Sequence, residues 1–511
     1  MVDQGTVTDL GTLTSWNADW TGLRVAVLGL GVTGFAAADT LVELGARVLV
    51  LASTADPERS DLLSVIGAEY LEQSLDDPPQ QLLDLDPELV VVSPGFRPDH
   101  PLLRWAEARG VAVWGDIELA WRVRDKVRAA DWICVTGTNG KTTTVQLTTH
   151  LIAASGARVA AVGNIGVPVL DAVREPNGFD VLVVELSSFQ LHWINRSAEG
   201  SLSPFASVCL NLAEDHYDWH GSAQGYRDAK AKVYANTRVA CVYNKADAAT
   251  MTMVEEADVI EGCRAIGFDL GTPGPSDVGL VGDIVVDRAF HEDRHATALE
   301  LTTHGELAAV GLAAPHSVAN VLAACALARA WGVESDVIRA AVASFRVDHH
   351  RTETVVLHNE VLWVDDSKAT NPHAAAASLG AFPSIVWIVG GLLKGVDVGD
   401  LVLANVARLR AAVLIGIDRE PLRLAFARHA PDLPVFEVET AETSEVMRVA
   451  VGFSAAVARP GDTVLLAPAA ASMDQFSDYA DRGRRFAAAV LESVGGAQGD
   501  ELNPSASGSD S

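Results

Sequence analysis

The sequence predicts an α/β protein built of three parallel-sheet domains. Short β-branched runs recur along the chain. Each is followed by Gly, Asn or acidic residues and then by an Ala/Leu-rich helical stretch, the alternation of parallel sheets. Two of the turns that follow such runs are Gly-rich and open a helix. The length of 511 residues exceeds one ordinary domain and suits two to four.

The elements read in order. The first region gives the strand "RVAVLGL" from Arg24, a Gly loop, a helix through Leu44, the strand "RVLVLA", and later "LVVVSPG". The second begins after "WGDIELAWRVRDKVRAA" and gives "WICVTG", "ARVAAVG", "VLVVELS", "ASVCLNL" and "VACVYN". The third follows "SFRVDHHRTE" and gives "VLWVDDS", "SIVWIVGG", "AAVLIGI" and "DTVLLAP". Domains are expected at 1–115, 116–347 and 348–495, with a small, polar, acidic tail at 496–511 that reads as disordered. The segment "GTPGPSDVGLVGDIVVDRAFHED" reads as a turn-rich insertion.

Composition excludes several classes. A formal net charge of −29 repels phosphate backbones and anionic lipid, which argues against nucleic-acid and membrane-surface binding. The five cysteines are scattered and form no C-x-x-C, so neither structural zinc nor a disulfide framework is expected. No signal-peptide pattern and no apolar run of about 18 residues occurs, and a monomer in the reducing cytoplasm is the expected setting.

In parallel sheets ligands sit at the carboxyl ends of strands, so the loops after strands carry the chemistry. The first is Gly29-Leu30-Gly31-Val32-Thr33-Gly34, a G-x-G-x-x-G between strand and helix. Its glycines permit a tight turn, and the helix N-terminus favours an anion. A dinucleotide site would also carry an acid at the end of the second strand, to hold ribose hydroxyls. Ala52-Ser53-Thr54 stands there instead. That argues against a nicotinamide-dependent oxidoreductase and leaves another phosphate-bearing ligand open.

The second loop, Thr136-Gly137-Thr138-Asn139-Gly140-Lys141-Thr142-Thr143, joins strand "WICVTG" to a helix. It is a shorter relative of the Walker A pattern, because position 135 is Val. Its backbone N–H groups can face phosphates, Lys141 can reach the β/γ-phosphates, and the Thr142 hydroxyl suits Mg²⁺. Glu185, ending the apolar strand "VLVVE", is costly to bury alone and reads as a metal ligand; an exposed strand-end glutamate is the alternative. "NLAEDHYDWH" adds Glu214, Asp215, His216, Asp218 and His220, an oxygen-rich set suited to Mg²⁺ or Mn²⁺. Asn244-Lys245-Ala246-Asp247 matches the guanine-reading N-K-x-D, but nothing resembles a GTPase switch. Lys230 reads as an ordinary helix-surface lysine.

The motifs "TGTNGKTT", "GNIGVP", "ELSSFQL", "NLAEDHYDWH", "YRDAK", "DDSKATNP" and "LAPAAASMDQF" occur in an order that resembles the Mur ligases, from about Val25 to Phe486. Within that family the set is most similar to the branch that adds D-glutamate. The resemblance implies three domains: the first is Rossmann-like and holds the UDP of a nucleotide sugar, the second is a P-loop-type ATP domain, and the third is Rossmann-like, closes over the site and takes D-glutamate. It implies an ATP-dependent ligase acting on UDP-N-acetylmuramoyl-L-alanine through an acyl phosphate, in cytoplasmic peptidoglycan precursor synthesis.

The same resemblance implies residue roles. Gly31, Val32, Thr33, Ser53, Thr54, Ser93, Gly95, Asn164, Ser187 and Gln190 fall at the UDP-substrate site, Asn164 also near the γ-phosphate. Gly137 to Thr143, Asn320, Arg351 and Asp366 fall at ATP, with Asn320 across a domain seam and reading adenine. Lys141, Lys230, His216 and Lys368 form the catalytic set. Thr142, Glu185, His216 and a carbamylated Lys230 would hold two Mg²⁺. Thr370, Lys394, Ser472 and Tyr479 fall at D-glutamate. Ser53-Thr54 departs from the Thr-Arg of some members, Leu392 from an acid, and Tyr479 from Phe.

Overall fold

The computed structural model describes residues 9–54, 57–195, 200–346, 350, 352–393, 395–440 and 442–500, with side chains to 494. The chain divides into two compact units, Met1–Arg346 and Val347–Ser511.

The first unit contains two sheets. The N-terminal one has strands β1 (Arg24–Leu28), β2 (Arg47–Ala52), β3 (Glu69–Glu72), β4 (Leu89–Val92) and β5 (Ala112–Gly115). Their order is β3-β2-β1-β4-β5, all parallel. The chain leaves β1 toward β2 on one side and later returns to β4 on the other. The crevice at the carboxyl ends of β1 and β4 is therefore the switch point of the sheet. β1 and β4 are apolar almost throughout because helices cover both faces, as parallel sheets require.

The second sheet contains β6 (Asp131–Thr136), β7 (Val159–Gly163), β8 (Val181–Glu185), β9 (Ala206–Cys209), β10 (Ala240–Asn244), β11 (Arg264–Phe268), β12 (Asp277–Val281), β13 (Ile284–Asp287) and β14 (Leu299–Thr303). The order is β14-β13-β12-β11-β10-β9-β6-β8-β7. Strands β6 to β12 pair parallel, and β12, β13 and β14 pair antiparallel. The segment expected to be a turn-rich insertion thus contains the β12–β13 hairpin and extends the sheet. Its Gly282 turn (φ +64°) is what the sequence advertised; the short flanking strands were hidden by the surrounding Gly and Pro.

The second unit has one sheet of β15 (Glu353–His358), β16 (Val361–Asp365), β17 (Ile385–Gly390), β18 (Leu409–Ile415), β19 (Val435–Glu437) and β20 (Thr463–Leu466). The order is β15-β16-β20-β17-β18-β19, parallel except for the β15–β16 hairpin. The long helix Tyr479–Asp500 follows. All five cysteines are free. Among the described residues no helix is long and apolar enough to cross a membrane.

Candidate functional site

At the switch point of the N-terminal sheet, β1 ends and Gly29 turns the chain at φ +95° into the helix Val32–Glu43. A Cβ on Gly34 would lie 2.0 Å from the Gly29 carbonyl oxygen, so only glycine lets the helix approach its own loop this closely. A Cβ on Gly31 would meet nothing within 4 Å. The rim of the loop is thus open: Gly31 and Val32 are exposed and Thr33 half-buried. Ser53 and Thr54 follow β2, and Ser93 and Gly95 follow β4. These are the two neighbours of β1, so the sheet brings all seven predicted residues to one end. The Ser93 hydroxyl is buried without a hydrogen-bond partner.

The second loop leaves β6 with Gly137 at φ +150° and Gly140 at φ +83°, then opens the helix Lys141–Ala154. Neighbouring backbone fixes it. Thr138 N donates to Asn211 O at 3.0 Å and Asn139 N to Asn211 Oδ1 at 2.9 Å. Ala213 N donates to the Thr138 hydroxyl at 2.9 Å, which also meets the Tyr226 hydroxyl at 3.0 Å. Lys141 Nζ folds back onto the loop, donating to the carbonyls of Gly137 and Thr138, each at 2.8 Å. Thr142 and Thr143 are buried in the first turn of the helix. Asn320, on the helix Pro315–Trp331, stands against the loop: a Cβ on Gly140 would lie 2.2 Å from its Oδ1. The expected domain seam is absent here, because Asn320 belongs to the same compact unit as the loop.

Two further groups stand beside this loop and its strand, Glu185 and Lys230. Glu185 ends β8, directly opposite Val135 of β6, and is 2% exposed. Its Oε1 accepts from Asn164 Nδ2 at 3.1 Å, while Oε2 is buried with no partner. Asn164, read as a substrate residue, is thus brought to the carboxylate. Lys230, on the helix Ala223–Ala231, is also 2% exposed, which corrects the surface-lysine reading. The reason is the loop: Nζ reaches in to donate to Gly137 O at 2.9 Å and lies 4.9 Å from the Tyr226 ring centre. Burial, and then the Lys141 cation, push this amine down to about 7. His216, half-buried in a left-handed conformation (φ +53°), packs on Phe189 and lies 3.4 Å from the Asp215 carboxylate. His220 turns to Ser188, 3.0 Å away, and burial pushes it down to about 4.

A buried carboxylate oxygen with no partner is costly unless a cation or donor meets it. The unpartnered Glu185 oxygen, and a hydroxyl oxygen such as that of Thr142, are the donor type a hard divalent ion takes, whereas the Lys230 amine as it stands is not. Ser187 and Gln190 form the capping box of the helix Ser188–His192. Gln190 Nε2 also donates to Asp116 Oδ2 at 3.0 Å. Asp116 is buried, and burial raises its carboxyl from the ordinary 3.8 to about 6. Sequence reasoning passed over Asp116, because an acid in "WGDIEL" has no motif to announce its burial. The N-K-x-D residues serve structure instead: Asn244 and Asp247 hold Leu210 and Leu212, and Lys245 pairs with Asp277.

In the second unit, predicted residues gather at the carboxyl ends of the paired strands β16 and β20. Asp366 accepts from Thr352 N at 3.1 Å and from the Ser378 hydroxyl. Lys368 Nζ stands 4.8 Å from the centre of the Tyr479 ring. Ser367 Oγ donates to the Tyr479 carbonyl at 2.7 Å. Thr370 is half-buried two residues beyond Lys368, and Ser472 is buried after β20. Leu392 N donates to Ala471 O at 2.9 Å, which seats the "GGLL" turn beside Ser472. Arg351, Lys394 and residues 501–511 lie outside the described residues, and so do the side chains of 495–500; the last helix runs to Asp500, so the first five residues of the expected disordered tail, 496–500, are helical. A cavity of about 1130 Å³ opens near the ends of β17 and β18, lined by Leu392, Ile417, Arg428 and His429 among others; Thr370, Ser472 and Tyr479 do not line it. The sequence reading also missed Arg482, fully buried in the last helix. Its guanidinium donates to Ser367 Oγ, Ser367 O and Ala470 O at 2.9, 2.8 and 3.2 Å.

Comparison with known proteins covers the chain. Residues 23–115 match the Mur ligase MurD-like N-terminal domain, 135–328 the Mur ligase middle domain, and 350–470 the Mur ligase glutamate ligase domain. A UDP-N-acetylmuramoylalanine--D-glutamate ligase of Leifsonia xyli is 65% identical over 98% of both chains. One of Streptomyces avermitilis is 51% identical over 92% of this chain and 98% of its own. Among solved structures, a UDP-N-acetylmuramate-alanine ligase MurC from Thermotoga maritima superposes with a TM-score of 0.54 at 20% identity, covering 92% of this chain and 100% of its own. A MurF from Acinetobacter baumannii gives 0.55 at 16% identity, covering 92% and 91%. At such identities the two structures speak for the fold alone.

Proposed function

This chain belongs to the Mur ligase family, and from that premise we propose that it joins the amine of D-glutamate to the L-alanyl carboxylate of UDP-N-acetylmuramoyl-L-alanine, driven by ATP. The setting is peptidoglycan precursor synthesis in the cytoplasm, by a monomer. The reading assigns 1–115 to the UDP substrate, 116–347 to ATP and 348–495 to closure and D-glutamate.

The reaction must bring two anions together. The substrate carboxylate attacks the γ-phosphorus of ATP, forming an acyl phosphate and releasing ADP. The D-glutamate amine then attacks the acyl carbon, and the tetrahedral intermediate collapses to the amide and inorganic phosphate. Positive charge must converge on the γ-phosphate as the first step proceeds. Lys141 supplies part of it, once its ammonium exchanges the Gly137 and Thr138 carbonyls for phosphate oxygens. The first turn of the helix Lys141–Ala154 supplies backbone N–H groups. Thr142, Glu185, His216 and Lys230 would hold Mg²⁺, two ions in this reading. Bound there, the metal neutralises charge on the phosphates.

Lys230 is assigned a carbamate. The ammonium first gives up a proton; the neutral amine then adds to carbon dioxide, an N–C bond forms and a second proton leaves, so that a buried cation becomes an anion beside metal. The buried position and lowered basicity of the amine favour that addition. Asn320, Arg351 and Asp366 are assigned to the nucleotide, and Lys368 to the γ-phosphate. Thr370, Lys394, Ser472 and Tyr479 are assigned to the D-glutamate carboxylates and hydrocarbon. Gly31, Val32, Thr33, Ser53, Thr54, Ser93, Gly95, Asn164, Ser187 and Gln190 are assigned to the UDP substrate.

The observation that carries the reading is the unpartnered Glu185 oxygen and the buried Lys230 amine beside one phosphate loop and its strand. The test is isotopic. Substrate labelled with oxygen-18 in the L-alanyl carboxylate should pass one label into the released phosphate. Phosphate without label would exclude an acyl phosphate.

A further inference from the structure

Gly483 occupies the interior of the helix Tyr479–Asp500, where glycine is among the poorest choices. Nothing about its own backbone calls for glycine, since it is helical. What surrounds it does. A Cβ at 483 would lie 2.2 Å from His350 Nδ1, 2.7 Å from His350 Cγ and 2.7 Å from Asp365 Oδ2. No side chain fits there without displacing both residues. His350 Nδ1 donates to Asp365 Oδ2 at 2.6 Å, and the Asp365 side chain is 1% exposed.

This pair holds a strained turn against the end of β16. His350 and Thr352, the neighbours of Arg351 in sequence, have φ +67° and +48°, a conformation that costs free energy in non-glycine residues and persists only where neighbours enforce it. The enforcing bonds are on both sides. Lys368 N donates to His350 O at 3.2 Å, Thr352 N to Asp366 Oδ1 at 3.1 Å, and His350 N to Glu353 Oε2 at 2.8 Å. Asp365 Oδ1 in turn accepts from Ser367 N at 2.9 Å. The imidazole therefore links the turn to the segment Asp365–Lys368, and the space it uses is the space a side chain at 483 would fill.

We propose that Gly483 is a positioning residue: its missing side chain leaves the room in which His350 and Asp365 pair, and that pair sets the geometry of the Asp366–Lys368 segment. The role acts through His350 and involves no contact with substrate. It rests on the proposed ligase reading for its catalytic consequence, but the packing relation stands apart from it.

The test exploits opposing signs. A glycine-to-alanine change inside a helix ordinarily stabilises. Gly483→Ala, His350→Ala and the double variant are compared with the parent for kcat, KM of the UDP substrate and thermal midpoint. We expect Gly483→Ala to lower kcat at least tenfold with KM within twofold, and not to raise the midpoint. In the His350→Ala background the same change should cost no further activity and should shift the midpoint more favourably than it does in the parent, because only Asp365 Oδ2 still meets the methyl group. Parental kcat in Gly483→Ala, or losses that multiply in the double variant, would overturn the proposal. If Gly483→Ala does not fold, a folded double variant supports it and an unfolded one overturns it. If the parent shows no D-glutamate-dependent phosphate release, the ligase reading fails by itself and the midpoints still decide the packing claim.

Discussion

The Lys230 Nζ lies 2.9 Å from the Gly137 carbonyl oxygen, so a buried amine is tied to the loop that opens the helix Lys141–Ala154. Removing that amine should damage catalysis more than folding. Lys230→Ala is expected to lose phosphate release by at least about 10²-fold, with partial recovery on adding a short-chain carboxylic acid that can stand in for a carbamate. Kinetics with and without the acid check this. Full activity without additive, or no recovery at all, would count against the carbamate.

Lys141 holds its own loop together through Gly137 and Thr138 and is assigned to the transferred phosphate. Lys141→Ala should reduce kcat by about 10²–10³-fold, the range for losing one group that stabilises transition-state charge. Binding of the UDP substrate by calorimetry should remain within a few-fold of the parent. Phosphate release at the parental rate would remove Lys141 from catalysis.

At the first Gly loop, Gly34→Ala forces a methyl group into the Gly29 carbonyl. Overpacking of this kind costs about 1–3 kcal/mol. A lower denaturation midpoint and a raised KM for the UDP substrate, with KM for ATP unchanged, are expected. An unchanged KM for the UDP substrate would separate this loop from that ligand.

Asp116 links stability to pH. Its folded-state carboxyl is raised to about 6, so the folded state binds the proton more tightly than the unfolded chain does. The penalty for burying the ionised form is full above about pH 6. It fades as pH falls toward 3.8, where the unfolded chain is protonated as well. Asp116→Asn should therefore stabilise at pH 8, by on the order of 3 kcal/mol, and by little near pH 4. Urea titrations at the two pH values measure it; equal effects at both would contradict the assignment.

Much of this architecture is legible in the sequence because parallel strands buried on both faces are continuous apolar runs. β1, β4, β6, β8, β17 and β20 announce themselves in this way. Edge and hairpin strands do not. Glu69–Glu72 and Val435–Glu437 are short and partly exposed, and β12 and β13 sit among turn residues. Candidate residues next to a strand end, such as Glu185 and Asp366, are picked out by position. Lys230 is not, because its burial depends on a loop nearly a hundred residues away. Asp116, His350, Asp365 and Gly483 are harder still: their meaning lies in pairs and in empty space that only the folded chain defines.

The most direct test of the central claim is phosphate release from ATP by the purified protein with UDP-N-acetylmuramoyl-L-alanine, run across a panel of D- and L-amino acids. The account predicts release with D-glutamate alone, stoichiometric with amide product. Release that ignores the amino acid, or that follows a different one, would contradict it.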